Sequence, residues 1–392
     1  MDFSPASPVL GGAFALCVFL GAALAASGFC TMGAISDLVL TGDGRRLHAW
    51  RWAMVTAAVG VMLLTWLTDF AASAARIPYA DASLDWGRSV VGGLLFGAGM
   101  VAGGGCVSRN VVRLGLGDLN SAVTLAATAL SAWWLVWRGG YGAVIGPLLD
   151  GMTVNVAMLG STDQRLPSVL AGFGMPRTPA ETAVILALIL WLVVRGRASQ
   201  GIRLSRALYV AGIGMGVVVT ALWWLISGPT GQRWIQEAEF ALTSPPGTGV
   251  QALTFIRPLA DSINYLRSPS ISNITFGMST LIGTLTGAMA YALYRGRLQV
   301  LKLRPGLFVR NVAAGILLGT GGVTAMGCSI GQGITGISTL ALGSMIAVLS
   351  MIAGCAFAVA LTYQWSLHSD GGRWRKAARN ALTDILIALK SV

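Results

Sequence analysis

Apolar residues fall into long runs divided by short polar stretches. A helix needs about 20 apolar residues to cross about 30 Å of hydrocarbon, and by that ruler full or shortened spans lie near 8–27, 52–72, 89–105, 119–137, 180–195, 207–226, 270–294, 311–327 and 337–362. About nine crossings place the two termini on opposite sides of the bilayer. Segments 138–179 and 227–269 are richer in proline and polar residues and read as extramembrane loops with short helices, neither carrying a motif. In the tail, Trp374, Ala378, Leu382, Ile385 and Leu389 recur at helical spacing between Arg373 and Lys390, the pattern of a helix lying on the membrane surface.

Composition agrees with an integral membrane protein: 11% of the 392 residues are charged, against about 25% in soluble domains, and the mean hydropathy is +0.71. The net charge of +12 sits between apolar runs, so it reads as a topology signal and excludes nucleic acid as a partner. With the N-terminus outside, the inner loops hold most of the basic residues, leaving Arg76, Arg88, Arg138, Arg165, Arg177, Arg233, Arg257 and Arg267 outside. Positive residues are retained on the cytoplasmic side, so the expected orientation is N-terminus out, C-terminus in. Trp50, Trp52, Trp133, Trp134, Trp137, Trp223, Trp224 and Trp365 fall at span ends, where an interfacial belt belongs. No basic residue precedes Arg45, so the first apolar run lacks the charged start of a secretory signal and is expected to be kept.

Residues 93–106, GLLFGAGMVAGGGC, align without a gap on 315–328, GILLGTGGVTAMGC, with identity at Gly93/Gly315, Leu95/Leu317, Gly97/Gly319, Gly99/Gly321, Val101/Val323, Gly105/Gly327 and Cys106/Cys328. A second match pairs Leu114–Gly117 with Leu340–Gly343 before the next apolar run. The copies enter the bilayer from opposite sides, which makes the chain an inverted repeat, and such repeats place their site near the midplane. The expected organisation is a first membrane repeat over 1–137, an outer loop and linking helix over 138–206, a second, inverted repeat over 207–362 and a cytoplasmic amphipathic tail over 363–392. The repeated helices are short and rich in glycine, so they break at membrane depth, where irregular backbone must be buried in protein or line a cavity. Glycines 93, 97, 315 and 319 also suit close helix packing.

Five cysteines occupy positions 17, 30, 106, 328 and 355, with no CxxC and only His48 and His368 as histidines, so neither a metal site nor a redox dithiol is supported. Cys17 and Cys355 lie inside apolar helices and read as packing residues. Cys30, Cys106 and Cys328 occupy junctions between apolar helix and small, polar loop. An uncharged, polarizable thiol is a weak donor and suits a large, soft anion that must bind and leave; backbone N–H groups at glycine-rich turns and half-helix ends would share the charge. Gly105 and Gly327 precede the thiols, and Asn110, Asn120, Ser121, Gln332, Ser338 and Thr339 are candidate donors nearby. Arg109 and Arg113 would concentrate anions or simply anchor the inner side. Asp69, Asp118 and Glu181 lie near span ends and read as interface residues rather than proton carriers. Gly331–Gly336 fits GxGxxG, but no strand precedes it, so a dinucleotide turn is rejected; no Walker-A pattern occurs, and no cofactor is expected.

Gly28–Asp37 (GFCTMGAISD), Gly103–Ser121 (GGGCVSRNVVRLGLGDLNS) and Gly327–Gly336 (GCSIGQGITG) resemble the YeeE/YedE family of bacterial inner-membrane sulfur transporters. The resemblance implies an all-α, hourglass-like membrane bundle that passes thiosulfate along Cys30, Cys106 and Cys328 by weak S–H hydrogen bonds, in the bacterial inner membrane, beside a small cytoplasmic sulfur-carrier protein. Some longer relatives are linked to selenium, so a selenium compound is an alternative cargo. A membrane sulfurtransferase carrying a cysteine persulfide is a further alternative, though such a nucleophile needs an activating neighbour. A purely structural subunit leaves the duplicated cysteine unexplained.

Overall fold

In a computed structural model, which describes residues 6–68, 70, 79, 81–198, 205–240, 249, 251–270, 273–367 and 383, each long apolar run folds as a helix. In chain order these are α1 (Ala6–Ser27), α2 (Thr31–Thr41), α3 (Arg45–Leu67), α4 (Trp86–Ala102), α5 (Val107–Gly115), α6 (Leu119–Trp137), α7 (Gly146–Leu149), α8 (Leu166–Gly172), α9 (Arg177–Ala198), α10 (Arg206–Ser227), α11 (Pro229–Phe240), α12 (Ile256–Arg267), α13 (Phe276–Tyr294), α14 (Pro305–Thr324) and α15 (Leu342–Leu367). Among the described residues 8 segments are long and apolar enough to cross a membrane: α1 run on into α2, α3, α4 run on into α5, α6, α10, α13, α14 and α15. The expected span at 180–195 is α9, whose apolar stretch, Thr178–Val194, is shorter. The chain is an all-α, multi-pass membrane protein; its described strands are two residues each, Ser83–Leu84 and Val154–Asn155. The tail 373–390 lies outside the described residues apart from position 383.

Local chemistry sets the helix ends. Gly42 closes α2 in the left-handed conformation (φ 71°), donating to Asp37 O and Leu38 O. Thr275 accepts from the Met278 N–H to open α13, and Asp118 accepts from the Asn120 N–H to open α6. Between α5 and α6, Gly117 (φ 101°) turns the chain before Asp118 bridges to Leu301. The second half makes the same move with a non-glycine: Leu340 is left-handed (φ 60°) and Ala341 bridges to Arg165. The structural equivalence is therefore Gly117 with Leu340, three residues away from the sequence match of Leu114–Gly117 to Leu340–Gly343. From Cys328 to its bridge the chain is one residue longer than from Cys106 to its own, and the π-helix Gly331–Gly336 takes up that residue within the turn.

Packing exchanges helices between the matched segments. α4 lies against α15, α14 against α6, and α4 and α14 cross each other; around them α1 packs on α13, α3 on α10, and α1 on α10. Glycines set these approaches, as the GxxxG spacing predicts. A Cβ on Gly93 would meet Ser350 Cβ at 2.7 Å and one on Gly97 would meet Cys355 N at 2.6 Å, both in α15. In the other copy a Cβ on Gly315 would meet Thr124 O at 2.5 Å, and Gly319 faces Ser131 and Thr128 of α6. Hydrocarbon gives no hydrophobic drive between helices, so backbone approach through small residues carries the association.

The segment 227–269 carries the short helices α11 and α12, and part of it is built into the bundle. Leu253, Phe255 and Ala260 are fully buried, and α12 packs against α6, because the apolar face of α12 needs cover that α6 supplies. Part of 138–179 is likewise built in: the Leu166 N–H donates to Leu340 O and the Leu342 N–H donates to Gln164 O, laying the connector across the start of α15.

Candidate functional site

Each of the three junction cysteines stands immediately before a short helix. Cys30 caps α2 with extended backbone, and its sulfur accepts from the Gly33 N–H at 3.4 Å. Sulfur here does the work usually given to a Ser or Asp oxygen. Cys106 caps α5; its Sγ lies 3.1 Å from Ser108 Oγ and faces the Arg109 N–H, the thiol of Cys30 and the hydroxyl of Ser329. Cys328 accepts from the Gly331 N–H at 3.3 Å and faces the N–H groups of Ile330 and Phe255. Phe255 itself precedes α12. Four helix starts thus gather around three thiols, two from before residue 138 and two from after residue 206, and the partial positive end of every one of them faces the cluster.

The thiols are nearly closed off: Cys30 is 8%, Cys106 2% and Cys328 1% exposed. The two sides differ. Gly104, left-handed at φ 66°, is exposed two residues from Cys106. Its counterpart Met326 is also left-handed (φ 57°) and is half-buried, while the rest of 325–340 is buried. A side chain in that conformation costs about 1–2 kcal/mol relative to the right-handed region, so the surrounding packing holds it there.

Two of the expected donors brace the loops that carry the thiols. Asn110 Nδ2 donates to Gly105 O and Cys106 O, both at 3.1 Å, and the residue is fully buried. Gln332 Nε2 donates to Ala325 O, while its Oε1 accepts from Ser344 Oγ, both at 2.6 Å. Each sits one helical turn after its cysteine and ties the helix back onto the glycine-rich break. Gly105 and Gly327 lie inside those breaks; a Cβ on Gly105 would meet Arg109 Cγ at 2.8 Å, and one on Gly327 would meet Gln332 Cγ at 3.1 Å.

Asn120 is placed away from the thiols. Its Nδ2 donates to Asp118 Oδ1 and Lys302 O and its Oδ1 accepts from the Arg304 N–H, so it clamps residues 302–304 onto the start of α6. Arg113 pairs with Asp118 and reaches Gly104 O at 3.4 Å, whereas Arg109 stays beside Gly105 and is the fixed cation felt at Cys30. Burial alone would raise the Asp118 carboxyl, but Asn120 and Arg113 outweigh it and hold the group below its ordinary range. Ser121, Ser338 and Thr339 donate to Asp118 Oδ2, Thr335 O and Gly336 O. Cys17 and Cys355 are fully buried helix residues, packed beside Gly283 and Gly97. Glu181 pairs with Arg165 at 3.5 Å, and Asp69 lies outside the described residues. Residues 331–336 form the π-helix, not a dinucleotide turn.

Sequence reasoning missed Ser108, Ser329, Phe255 and Tyr79. The Tyr79 hydroxyl donates to Gly331 O at 2.9 Å. A serine one or two places after each repeated cysteine was a visible signal; Phe255 and Tyr79 carry none, since only the folded chain brings them to the Cys328 turn.

Known proteins share this arrangement of sequence over most of its length. The thiosulfate transporter TsuA of Escherichia coli (strain K12) is 23% identical over 361 residues, covering 88% of this chain and 92% of its own. TsuA of Spirochaeta thermophila is 25% identical over 345 residues, covering 83% and 90%. The family model described as sulphur transport matches residues 26–357, a stretch that takes in all three capping cysteines, and the chain belongs to that family.

Proposed function

We propose that this protein carries thiosulfate, or a closely similar soft sulfur anion, across the bacterial inner membrane along Cys30, Cys106 and Cys328. The observation that carries the reading is the meeting of three cysteine side chains at the positive ends of short helices. A dianion entering hydrocarbon needs compensation. Helix starts and backbone N–H groups supply most of it, with Arg109 as a nearby fixed cation, and S–H groups give weak, reversible hydrogen bonds. The names of the two relatives supply thiosulfate as the cargo.

The exchanged packing of α4, α6, α14 and α15 supports two inverted halves, 1–137 and 207–362, joined through 138–206, with the tail 363–392 beyond them. The end of the bundle bearing Arg45, Arg46, Arg113, Arg304 and Arg310 is the cytoplasmic one on this reading, which sets the N-terminus in the periplasm. A small sulfur-carrier protein would meet the chain at that end; co-purification of the two tests it. Transport itself is tested by uptake of labelled thiosulfate into proteoliposomes, with sulfate, sulfite and selenite as competitors and with the pH gradient collapsed in a parallel run. Saturable uptake that sulfate competes for weakly is expected, and intact mass after exposure should show no added sulfur. Absence of uptake, or a persulfide adduct of one sulfur atom, would contradict the reading.

A further inference from the structure

A polar cavity lies off the thiol cluster, where α5 ends and α6 and α14 begin. It has a volume of about 150 Å³, and a cavity of that size takes a molecule of about six heavy atoms. Arg113, Arg304 and Arg310 stand around it, with Asn311, Ser121 and Thr124 as neutral polar walls. Asp118 is the one carboxylate lining it and is already paired with Arg113. No carboxylate of the described residues pairs with Arg304 or Arg310. Three guanidinium groups against one carboxylate leave two positive charges uncompensated, which matches a dianion better than a singly charged phosphodiester.

The cavity is also joined to the thiols. Asn110 lines it and holds the carbonyls of Gly105 and Cys106, and Arg113 lines it and reaches the carbonyl of exposed Gly104. The walls are held by the two copies together, through Asn120 on Lys302 and Arg304 and through Asn311 Nδ2, which donates to Asn120 O at 3.4 Å. The opening of α14 adds the positive end of a 20-residue helix, with Pro at its first position and no side chain capping it.

We infer that this cavity is a second seat for a small tetrahedral dianion, thiosulfate or sulfate, held by Arg304 and Arg310 on the route between the Cys106 loop and the basic face. The inference rests on the thiosulfate reading for its cargo but not for its geometry. Arginine forks suit oxyanions by paired N–H contacts, and a strong seat at the exit, in contact with water, would draw the ion off the weakly binding thiols.

The test is equilibrium binding of ³⁵S-thiosulfate, and separately ³⁵S-sulfate, to the full chain in nanodiscs of neutral lipid. Two thiosulfate sites per chain are expected. R304Q/R310Q should lose one of them, weakened at least tenfold, and should lose sulfate binding; R304K/R310K, which keeps the charge but not the paired N–H fork, should keep both sites with the second one weakened less than in R304Q/R310Q. Both arginines are exposed, and elution as a single sharp peak verifies that each variant is folded. If R304Q/R310Q binds two thiosulfates as wild type does, the seat is refuted while the transport reading stands. If wild type binds sulfate through these arginines but no thiosulfate at all, the seat stands and the transport reading fails. Should the variant instead lose only co-purifying phosphatidylglycerol or cardiolipin, with anion binding unchanged, the cavity holds a lipid headgroup and the inference is overturned.

Discussion

Replacing Asn110 by alanine removes two hydrogen bonds from the loop that presents Cys106. Both acceptors, Gly105 O and Cys106 O, lie in a buried turn; Cys106 O keeps the backbone N–H of residue 110, so Gly105 O is the carbonyl that loses its side-chain donor without that replacement. A buried carbonyl left without a donor costs about 1–3 kcal/mol, and relaxation of the loop recovers part of that, so a net loss of about 2 kcal/mol is expected. That shifts the balance between the held and the relaxed loop by about thirtyfold. The thiol, now 2% exposed, should then react with a small maleimide about tenfold faster, read by mass spectrometry of the Cys106 peptide. The initial rate of labelled thiosulfate uptake into proteoliposomes should fall about tenfold at equal protein incorporation. Asn110→Asp should be worse, because a carboxylate cannot donate to the two carbonyls and adds repulsion for an anion. If Asn110→Ala leaves both labelling and uptake within twofold of wild type, the bracing role is wrong.

Gly97→Leu should drive α4 and α15 apart, costing about 1–3 kcal/mol by overpacking and lowering the thermal midpoint in detergent, whereas Leu94→Ala on the exposed face of α4 should change it little. Because the Asp118 carboxyl titrates lower in the folded than in the unfolded chain, its stabilisation is complete above the unfolded value near 3.8 and is lost as the pH falls through the folded one. The thermal midpoint of wild type should therefore drop between pH 5 and pH 3 more steeply than that of Asp118→Asn. Gln332→Ala should lower uptake as Asn110→Ala does, since it frees Ala325 O on the matched loop.

Much of this was legible in the sequence because membrane spans and glycine spacing are one-dimensional signals. The apolar runs gave the helices, and Gly93, Gly97, Gly315 and Gly319 gave the close crossings, since a four-residue spacing places small residues on one helical face wherever the partner lies. Cys106 and Cys328 were legible through the duplicated Gly-Cys ending, and Cys30 through its place between the first apolar run and a small, polar stretch. The burial of segment 251–256 was not, because the segment is short with polar flanks and its cover comes from α6 and α14, remote in sequence. The roles of Asn110 and Asn120 were also hidden. Both are amides near a cysteine in sequence, but one donates to the thiol loop and the other clamps the remote 302–304 segment, a difference that depends on which carbonyls the fold brings within reach.

The central claim is that the anion passes along the capping thiols, and uptake of labelled thiosulfate by single cysteine variants tests it most directly. Cys106→Ala and Cys328→Ala should each abolish uptake in proteoliposomes, while Cys17→Ala and Cys355→Ala, at helix-packing positions, should keep most of it. Wild-type rates in both Cys106→Ala and Cys328→Ala would contradict the account.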